Sequence, residues 1–554
     1  MLVILVRWFV FTLTLLVPFT AFASGGGDTK PWYTGFAPIV LLLVAVGIVM
    51  SRLKRPEGLP HLENKTYRLR RVLNWVPLGL TYAFLYWGRY NLQPIIEAVG
   101  GKSMVADFGW VFGAGTAIYG ISFIVNGPLT DRKGGRFSIL VGAIGASIAN
   151  LLMGCSCYLA LNEFCSIDVF FWSLMILYPI NMYFQSFGAV AIVKCNAPWF
   201  HVKERGVFGA VFGIMISLGI YFAFDWSYAI VKVAPANWAF WIPAIALAIM
   251  FVVDKLVVRN TPEDAGFKKV ITDDASEGVN EPQRGAKEMF KLMLNNKVIL
   301  IIACIEFCSG FLRQAIMQMY RFFANQTDAI LHLKTDFVYE NWGLCLCVAG
   351  ILGGVFAGTI SDRVFGSRRA PVVAVLYFFM LLGSVAMIFL MQSPTFGWLM
   401  VFMSMCIIGV HGMLSGTASM DFGGTKNVGV AVGLIDGFVY AGTATQAVLY
   451  AITLPKGDII VGADPANWSF WPLPMIVIAV IGLYLAIKIW FAKPKVENPR
   501  ILRPGTQMLI WKIRMWIRSY YWLNDITKEA LSKENQRCMP KAEEGNNDDK
   551  PIPK

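Results

Sequence analysis

Charge is scarce in this chain, and negative charge is scarcer still. Asp and Glu total 35 against 48 Lys and Arg in 554 residues, charged residues make up 15%, and histidine occurs 4 times. A soluble domain carries about a quarter charged residues, so this balance excludes a soluble enzyme and a disordered chain. The net charge of +13 would suit nucleic acid. Nucleic acid is nevertheless excluded as a partner, because the sequence is crowded with apolar runs of about 20 residues, each long enough to span a bilayer. No Walker loop, zinc signature or nucleophile elbow occurs, which argues against an ATP-driven pump and a hydrolase. The 10 Cys form no metal pattern, and no metal or cofactor is expected.

What is present is hydrophobic (56%) and rich in aromatics (14%). Met1 to Ala23 reads as a signal peptide: Arg7 supplies the charge, Trp8 to Pro18 the apolar region, and Ala21-Phe22-Ala23 the small-x-small cleavage pattern. Residues 24–71 read as an extra transmembrane helix, Phe36 to Met50, followed by a basic linker that begins Ser51-Arg52-Leu53-Lys54-Arg55. Further spans are expected at 72–93, 107–128, 137–154, 168–193, 206–230, 238–256, 297–325, 338–360, 371–391, 395–419, 428–453 and 468–490. The basic residues concentrate in alternate loops, which the positive-inside rule places in the cytoplasm. The polar segment 257–296 is then a cytoplasmic loop between a six-helix half at 72–256 and another at 297–490. The expected class is an all-α membrane protein with two pseudo-symmetric halves and one added N-terminal helix. It would be multi-pass in an inner membrane, in contact with the lipid bilayer. The basic tail 491–554 is expected in the cytoplasm, where Met508 to Leu523 either lies on the inner leaflet or caps the bundle.

The halves repeat. Gly127-Pro128-Leu129-Thr130-Asp131-Arg132-Lys133-Gly134-Gly135-Arg136 follows the second core helix, and Gly358-Thr359-Ile360-Ser361-Asp362-Arg363 follows the eighth, with Arg368-Arg369 soon after. Pro235-Ala236-Asn237-Trp238 precedes the sixth helix and Pro465-Ala466-Asn467-Trp468 the twelfth, at nearly the same offset. Parallel repeats with a site between them are a common carrier design. In the loop motif, glycines allow close helix approach, while an Asp can cap a neighbouring helix N-terminus and Arg can pair with carboxylates. Asp131, Arg132, Arg136, Asp362, Arg363, Arg368 and Arg369 are therefore gating candidates, the alternative being solvated turn residues.

Ionisable residues at membrane depth are expensive and are functional candidates by default. Arg89 and Arg313 lead. Each sits about 24 Å along its helix from the cytoplasmic end, so the two would face one cavity across the pseudo-two-fold axis. Two planar guanidinium forks suit a phosphate; the alternatives are structural ion pairing or snorkelling. Arg321, about 12 Å further on, falls near the outer interface. Glu306 shares a face with Arg313 and would either carry a co-transported proton or hold an Arg when the site is empty. Tyr82, Tyr86 and Gln93 share a face with Arg89; they could bond a phosphate or a sugar hydroxyl, or simply pack. Asn181 and Gln185 on helix four, His411 and Ser415 on helix ten, and Asp436, Tyr440 and Thr443 on helix eleven are further lining candidates, with Asp436 a second coupling candidate. Asp225 on helix five falls near the outer interface. Cys155, Cys157 and Cys165 cluster in an outer loop where a disulfide is chemically allowed.

The Gly-x-x-x-Asp-Arg-x-x-Gly-Arg loop resembles the signature of the major facilitator superfamily. The chain further resembles the organophosphate:phosphate antiporter family, which includes glycerol-3-phosphate and hexose-phosphate transporters. The matching segments are Tyr86-Trp87-Gly88-Arg89-Tyr90-Asn91, Lys203-Glu204-Arg205-Gly206, Arg259-Asn260-Thr261-Pro262-Glu263-Asp264-Ala265-Gly266, Ser361-Asp362-Arg363-Val364-Phe365-Gly366-Ser367-Arg368-Arg369-Ala370-Pro371 and His411-Gly412-Met413-Leu414-Ser415-Gly416-Thr417-Ala418-Ser419-Met420-Asp421. The resemblance implies the major facilitator fold. It also implies a small anionic substrate exchanged for inorganic phosphate, a phosphate-binding role for Arg89 and Arg313, and a monomer. The sequence departs from the family at Phe123, where a Lys is expected, at Ile216 in place of a His, and at Met319 and Arg321 in place of a Trp and a Pro. Two rival readings stay open: a proton-coupled symporter of a carboxylate or sugar, using Glu306 or Asp436, and a receptor that senses a sugar phosphate without transporting it.

Overall fold

The computed structural model describes residues 64–100, 105–201, 205–270, 294–365, 369–455 and 459–490, with Glu288 and Lys291. The expected signal peptide, the extra helix, Arg368, most of the central loop and the tail 491–554 lie outside the described residues.

The first core helix, α1 (Lys65–Tyr90), begins earlier than 72. Asn64 explains why: its side chain accepts from the amides of Thr66 at 2.9 Å and Tyr67 at 3.2 Å, an N-cap that satisfies two otherwise orphaned donors. The last basic residues of the expected linker are thus the opening turns of α1. Arg70 there donates to the Val257 carbonyl at 2.7 Å. The helix stops at Asn91, and Leu92–Gly100 continues it as a separate piece.

The chain goes on through α2 (Val105–Lys133), α3 (Gly135–Leu161), α4 (Ile167–Asn196), α5 (Arg205–Tyr221) and α6 (Trp238–Val257). After α5 come a π-helical stretch Phe222–Trp226 and the short helix Ser227–Val233. The second half has α7 (Lys297–Met317), continued after Gln318 by Met319–Gln326, then α8 (Trp342–Arg363) and α9 (Arg369–Leu390). α10 (Phe396–His411) runs through a π-helical stretch Gly412–Ala418 into α11 (Ser419–Thr453), and α12 (Pro472–Lys488) closes the set. No strand occurs among the described residues. The break expected between 419 and 428 is absent; that segment is helical. α3 reaches Leu161, so Cys155 and Cys157 lie in a helix rather than a loop, and both are free, as is Cys165.

Among the described residues, 10 helices are long and apolar enough to cross a membrane, and Trp342–Ala357 is a shorter apolar helix. The outside of the bundle is apolar too: Phe389 is 78% exposed, with Leu256, Trp172 and Ile176 also exposed. Such a surface is suited to lipid rather than water.

Most contact between the halves is made where α2 packs against α11 and α5 against α8, with α4 also against α11. Glycine permits the closest approaches. A Cβ on Gly127 would lie 2.5 Å from the Gly429 carbonyl oxygen, and one on Gly310 of α7 would run into the Val439 carbonyl of α11. Gly310→Ala is therefore expected to destabilise the bundle by about 1–3 kcal/mol. The readout is a lowered midpoint of thermal aggregation in detergent, with Gly354→Ala as the control, because a Cβ there meets nothing within 4 Å.

Candidate functional site

At the centre of the bundle, α1 and α7 each carry a buried arginine shortly before a helix break. Arg89 precedes Asn91 and is 0% exposed; Arg313 precedes Gln318 and is 2% exposed. Arg89 is fully engaged by neutral groups. Its Nε donates to Gln185 Oε1 at 2.9 Å, Nη1 to the Tyr440 hydroxyl at 2.8 Å and Nη2 to the Tyr119 hydroxyl at 2.5 Å. Its guanidinium carbon also lies 4.5 Å from the Tyr86 ring centroid and 4.3 Å from that of Tyr119, close enough for cation–π attraction.

Arg313 is less occupied. Its guanidinium lies 5.7 Å from the Tyr440 ring centroid, and its Nε and Nη2 have no hydrogen-bond partner. Tyr440 of α11 thus stands between the two cations. No carboxylate among the described residues lies within ion-pair distance of either guanidinium. Two buried cations with no ion-pair partner among the described residues, one of them with unbonded donors, are chemically suited to an anion.

The frame around Arg89 is polar and cooperative. Asn181 and Asn150 both donate to the Gly88 carbonyl, at 2.9 and 3.1 Å. Gln185 donates to Asn181 at 3.1 Å, which leaves its oxygen for Arg89. The Tyr178 hydroxyl donates to the Arg89 carbonyl at 3.0 Å. Across the halves, Gln314 of α7 donates to the Tyr90 hydroxyl at 2.6 Å. Phe123 stacks on Tyr440 and meets Tyr119 edge-on, so this position is an apolar wall of the centre.

Two turns below Arg313 on α7 lies a second buried group. His411 Nδ1 and Glu306 Oε2 are 3.0 Å apart, and Ser415 donates to Asp436 at 2.5 Å.

Each end of the bundle carries a carboxylate that reaches across the halves. At the basic end, Asp131 of α2 accepts from the amides of Gly429 at 3.0 Å and Val430 at 2.9 Å, and pairs with Lys194 at 2.6 Å. At the far end, Asp225, inside the π-helical stretch after α5, accepts from the amides of Gly343 at 2.8 Å and Leu344 at 2.9 Å in the first turn of α8. Beside it, Arg321 sits 3.6 Å from the Tyr228 ring centroid and 4.2 Å from that of Tyr339.

This arrangement of two halves closing on a charged centre has relatives. The sequence profile described as Major Facilitator Superfamily matches residues 78–447. The chain belongs to the major facilitator superfamily. Its fold is also that of solved superfamily structures: a bacterial homologue of the human lysosomal transporter Spinster, inward-facing and unoccupied, superposes with a TM-score of 0.58 at 12% identity, covering 78% of this chain and 100% of that one. The glycerol-3-phosphate transporter of Bacillus subtilis is 24% identical over 475 residues, 79% of this chain and 98% of its own. The membrane sensor protein UhpC of Salmonella typhimurium is 25% identical over 422 residues, 72% of this chain and 89% of its own. These relatives match the organophosphate:phosphate antiporter family.

Within this superfamily member, the expected residues are not all in one place. Tyr86, Gln185 and Tyr440 touch Arg89, and Tyr82 stacks edge-on to Tyr86 at 5.2 Å. Asn181 acts one step back, through Gln185 and Gly88. Gln93 lies beyond the break in α1 and donates to Glu97 at 3.1 Å, away from Arg89. Thr443 donates to the Gly310 carbonyl at 3.3 Å, at the α7–α11 crossing. Arg132 is exposed. Arg136 anchors the loop, its amide donating to Asn260 at 2.8 Å and its Nη2 to the Lys255 carbonyl at 2.5 Å. Arg369 opens α9, and the side chains of Asp362 and Arg363 lie outside the described residues. Tyr119, Tyr178 and Gln314 escaped the sequence reading. Tyr119 lies one helical turn before Phe123, so the residue that drew attention was one turn from the residue that bonds Arg89.

Proposed function

We propose that this chain exchanges an organophosphate, a sugar phosphate or glycerol phosphate, for inorganic phosphate by alternating access in an inner membrane, acting as a monomer. The observation that carries this reading is the buried pair Arg89 and Arg313 with no carboxylate counter-ion among the described residues and two unpartnered donors on Arg313. A phosphate oxygen accepts from a guanidinium fork in two parallel bonds, so Arg313 Nε and Nη2 suit it directly. Arg89, held by three neutral acceptors, contributes charge and a fixed position. The likeness to the glycerol-3-phosphate transporter supports the same substrate class.

Alternating access would use the two cross-half carboxylates as alternative latches: releasing Asp131 opens the basic end, and releasing Asp225 opens the far end. Antiport follows because the empty carrier keeps two cations without an ion-pair partner, and unbonded donors on Arg313, at membrane depth, which disfavours its passage through the closed state until an anion returns.

The test is phosphate counterflow. Purified protein in liposomes loaded with inorganic phosphate is expected to take up labelled phosphate, and a panel of organophosphates should inhibit. No uptake by folded protein sinks the reading. A second reading, a sensor without transport, is favoured by the likeness to UhpC. It expects organophosphate binding in detergent with no counterflow, so the same preparation separates the two.

A further inference from the structure

The buried centre contains more titratable chemistry than phosphate binding needs. Arg89 and Arg313 contribute two formal positive charges, and Glu306 and Asp436, 0% and 3% exposed, contribute two negative ones. As a set of four they are balanced, although the acids do not ion-pair with the arginines. A phosphate monoester brings a charge of about −1.5 to −2 near pH 7. Its arrival leaves the interior with excess negative charge, which is costly where water is excluded. The least costly remedy is a proton from water.

The geometry points to where that proton goes. We propose that Glu306 and His411 form a proton-binding pair that loads together with the phosphate, so that transport moves a proton as well as an organophosphate. This rests on the phosphate reading above. The Glu306 Oε2 to His411 Nδ1 contact at 3.0 Å requires one hydrogen between the two atoms already. The other carboxylate oxygen, Oε1, is buried and has no hydrogen-bond partner, so it can receive a further proton. The pair then goes from a net charge of −1 to zero. No covalent bond to substrate forms or breaks: the proton comes from water on one side and is returned to water on the other.

Two features tie the pair to the substrate. Glu306 is on the same helix as Arg313, two turns away or about 10 Å, near enough to sense its charge and too far to neutralise it by contact. His411 is the last residue of α10 before the π-helical stretch Gly412–Ala418, a backbone irregularity that recurs at functional sites. The charged and titratable neighbours of Glu306 are Arg313 and Cys308 on α7, His411 on α10, Asp436 on α11 and Tyr377 on α9, with Arg89 of α1 facing His411 across the centre. The Tyr377 hydroxyl is spent on the Ile305 carbonyl at 2.6 Å and the Asp436 carboxylate receives the Ser415 hydroxyl. Tyr484 and Lys488 of α12 are exposed.

The experiment is calorimetric titration of the full-length protein in detergent with inorganic phosphate, in buffers of different ionisation enthalpy, which reads protons taken up per phosphate bound. Protonation of phosphate itself contributes equally to every variant. Wild type is expected to take up about one proton more per phosphate than Glu306→Gln, which mimics the loaded acid, and His411→Gln should lose the same extra proton. Equal uptake by wild type and by whichever variant folds overturns the proton site while leaving phosphate binding intact. No binding heat from folded wild type removes the phosphate reading, and this inference with it.

Discussion

Arg89→Lys is expected to lower phosphate counterflow about 100-fold, with the loss in maximal rate rather than in half-saturating phosphate. Lysine keeps the charge but presents a single compact head where Arg89 offers three donors to three separate acceptors. The lysine's three N–H donors radiate from one atom and cannot reach all of Gln185, Tyr119 and Tyr440 at the positions the fork serves, and each acceptor left buried and under-bonded costs about 1–3 kcal/mol. Tyr440 matters most, because it belongs to α11 while Arg89 belongs to α1. Losing that bond weakens the one direct tie between the cation and the opposite half, the tie that would convert substrate binding into closure. Arg313→Lys should behave differently. Its Nε and Nη2 hold no protein group, so substitution removes a fork that only the ligand uses, and half-saturating phosphate should rise about 10- to 100-fold. Initial rates over a range of external phosphate distinguish the two patterns. Identical behaviour of both variants would mean that the arginines act as a symmetric pair, contrary to the asymmetry of their bonds.

That asymmetry was not legible in the sequence, and the reason is physical. Hydropathy and the positive-inside rule depend on composition along one helix, so the spans, the repeat and the two membrane-depth arginines could be read directly. Bonds between helices depend on rotation about each axis, which a coarse periodicity does not determine. Gln93 shared a face with Arg89 by counting, yet the helix break at Asn91 turned it toward Glu97. Tyr119 was hidden because the polar residues near its face of α2, Thr116, Ser122, Asn126 and Thr130, are small and uncharged and do not mark the inner face as an ionisable residue does. The helix ends failed for a related reason. Asn64 and its cap begin α1 among basic residues that hydropathy assigns to a linker, and the segment between 419 and 428, with its Asp, Lys and paired glycines, suggested a break where the backbone remains helical. Asp131 was recoverable because its loop motif repeats. Asp225 was placed near the outer interface by its depth alone; it sits in an apolar run with no motif, and only its position opposite the first turn of α8 reveals its partners.

Those two aspartates set up the other large expected effect. Asp131→Ala and Asp225→Ala should shift the carrier in opposite directions. Each carboxylate accepts two amides from the opposite half, charge-assisted bonds that are stronger than neutral ones. The amides of Gly343 and Leu344 lie in the first turn of α8, where a helix lacks internal acceptors, so Asp225 acts as an N-cap supplied from across the interface. Removing such a cap costs about 0.5–2 kcal/mol, and loss of the charge-assisted pair brings the bias to roughly 10- to 100-fold in population. Hydrogen exchange with peptide-level mass analysis reads the shift at the bonds themselves. In Asp225→Ala, exchange at Gly343 and Leu344 should accelerate by that factor while Gly429 and Val430 stay as protected as in wild type or become more so. Asp131→Ala should give the mirror image, with the Lys194–Asp131 ion pair also lost. Acceleration at both ends in either variant would mean general loosening of the bundle, and the two carboxylates would then be structural ties. Opposite responses require that opening one end reinforces the other, as expected of a carrier that must never be open on both sides at once.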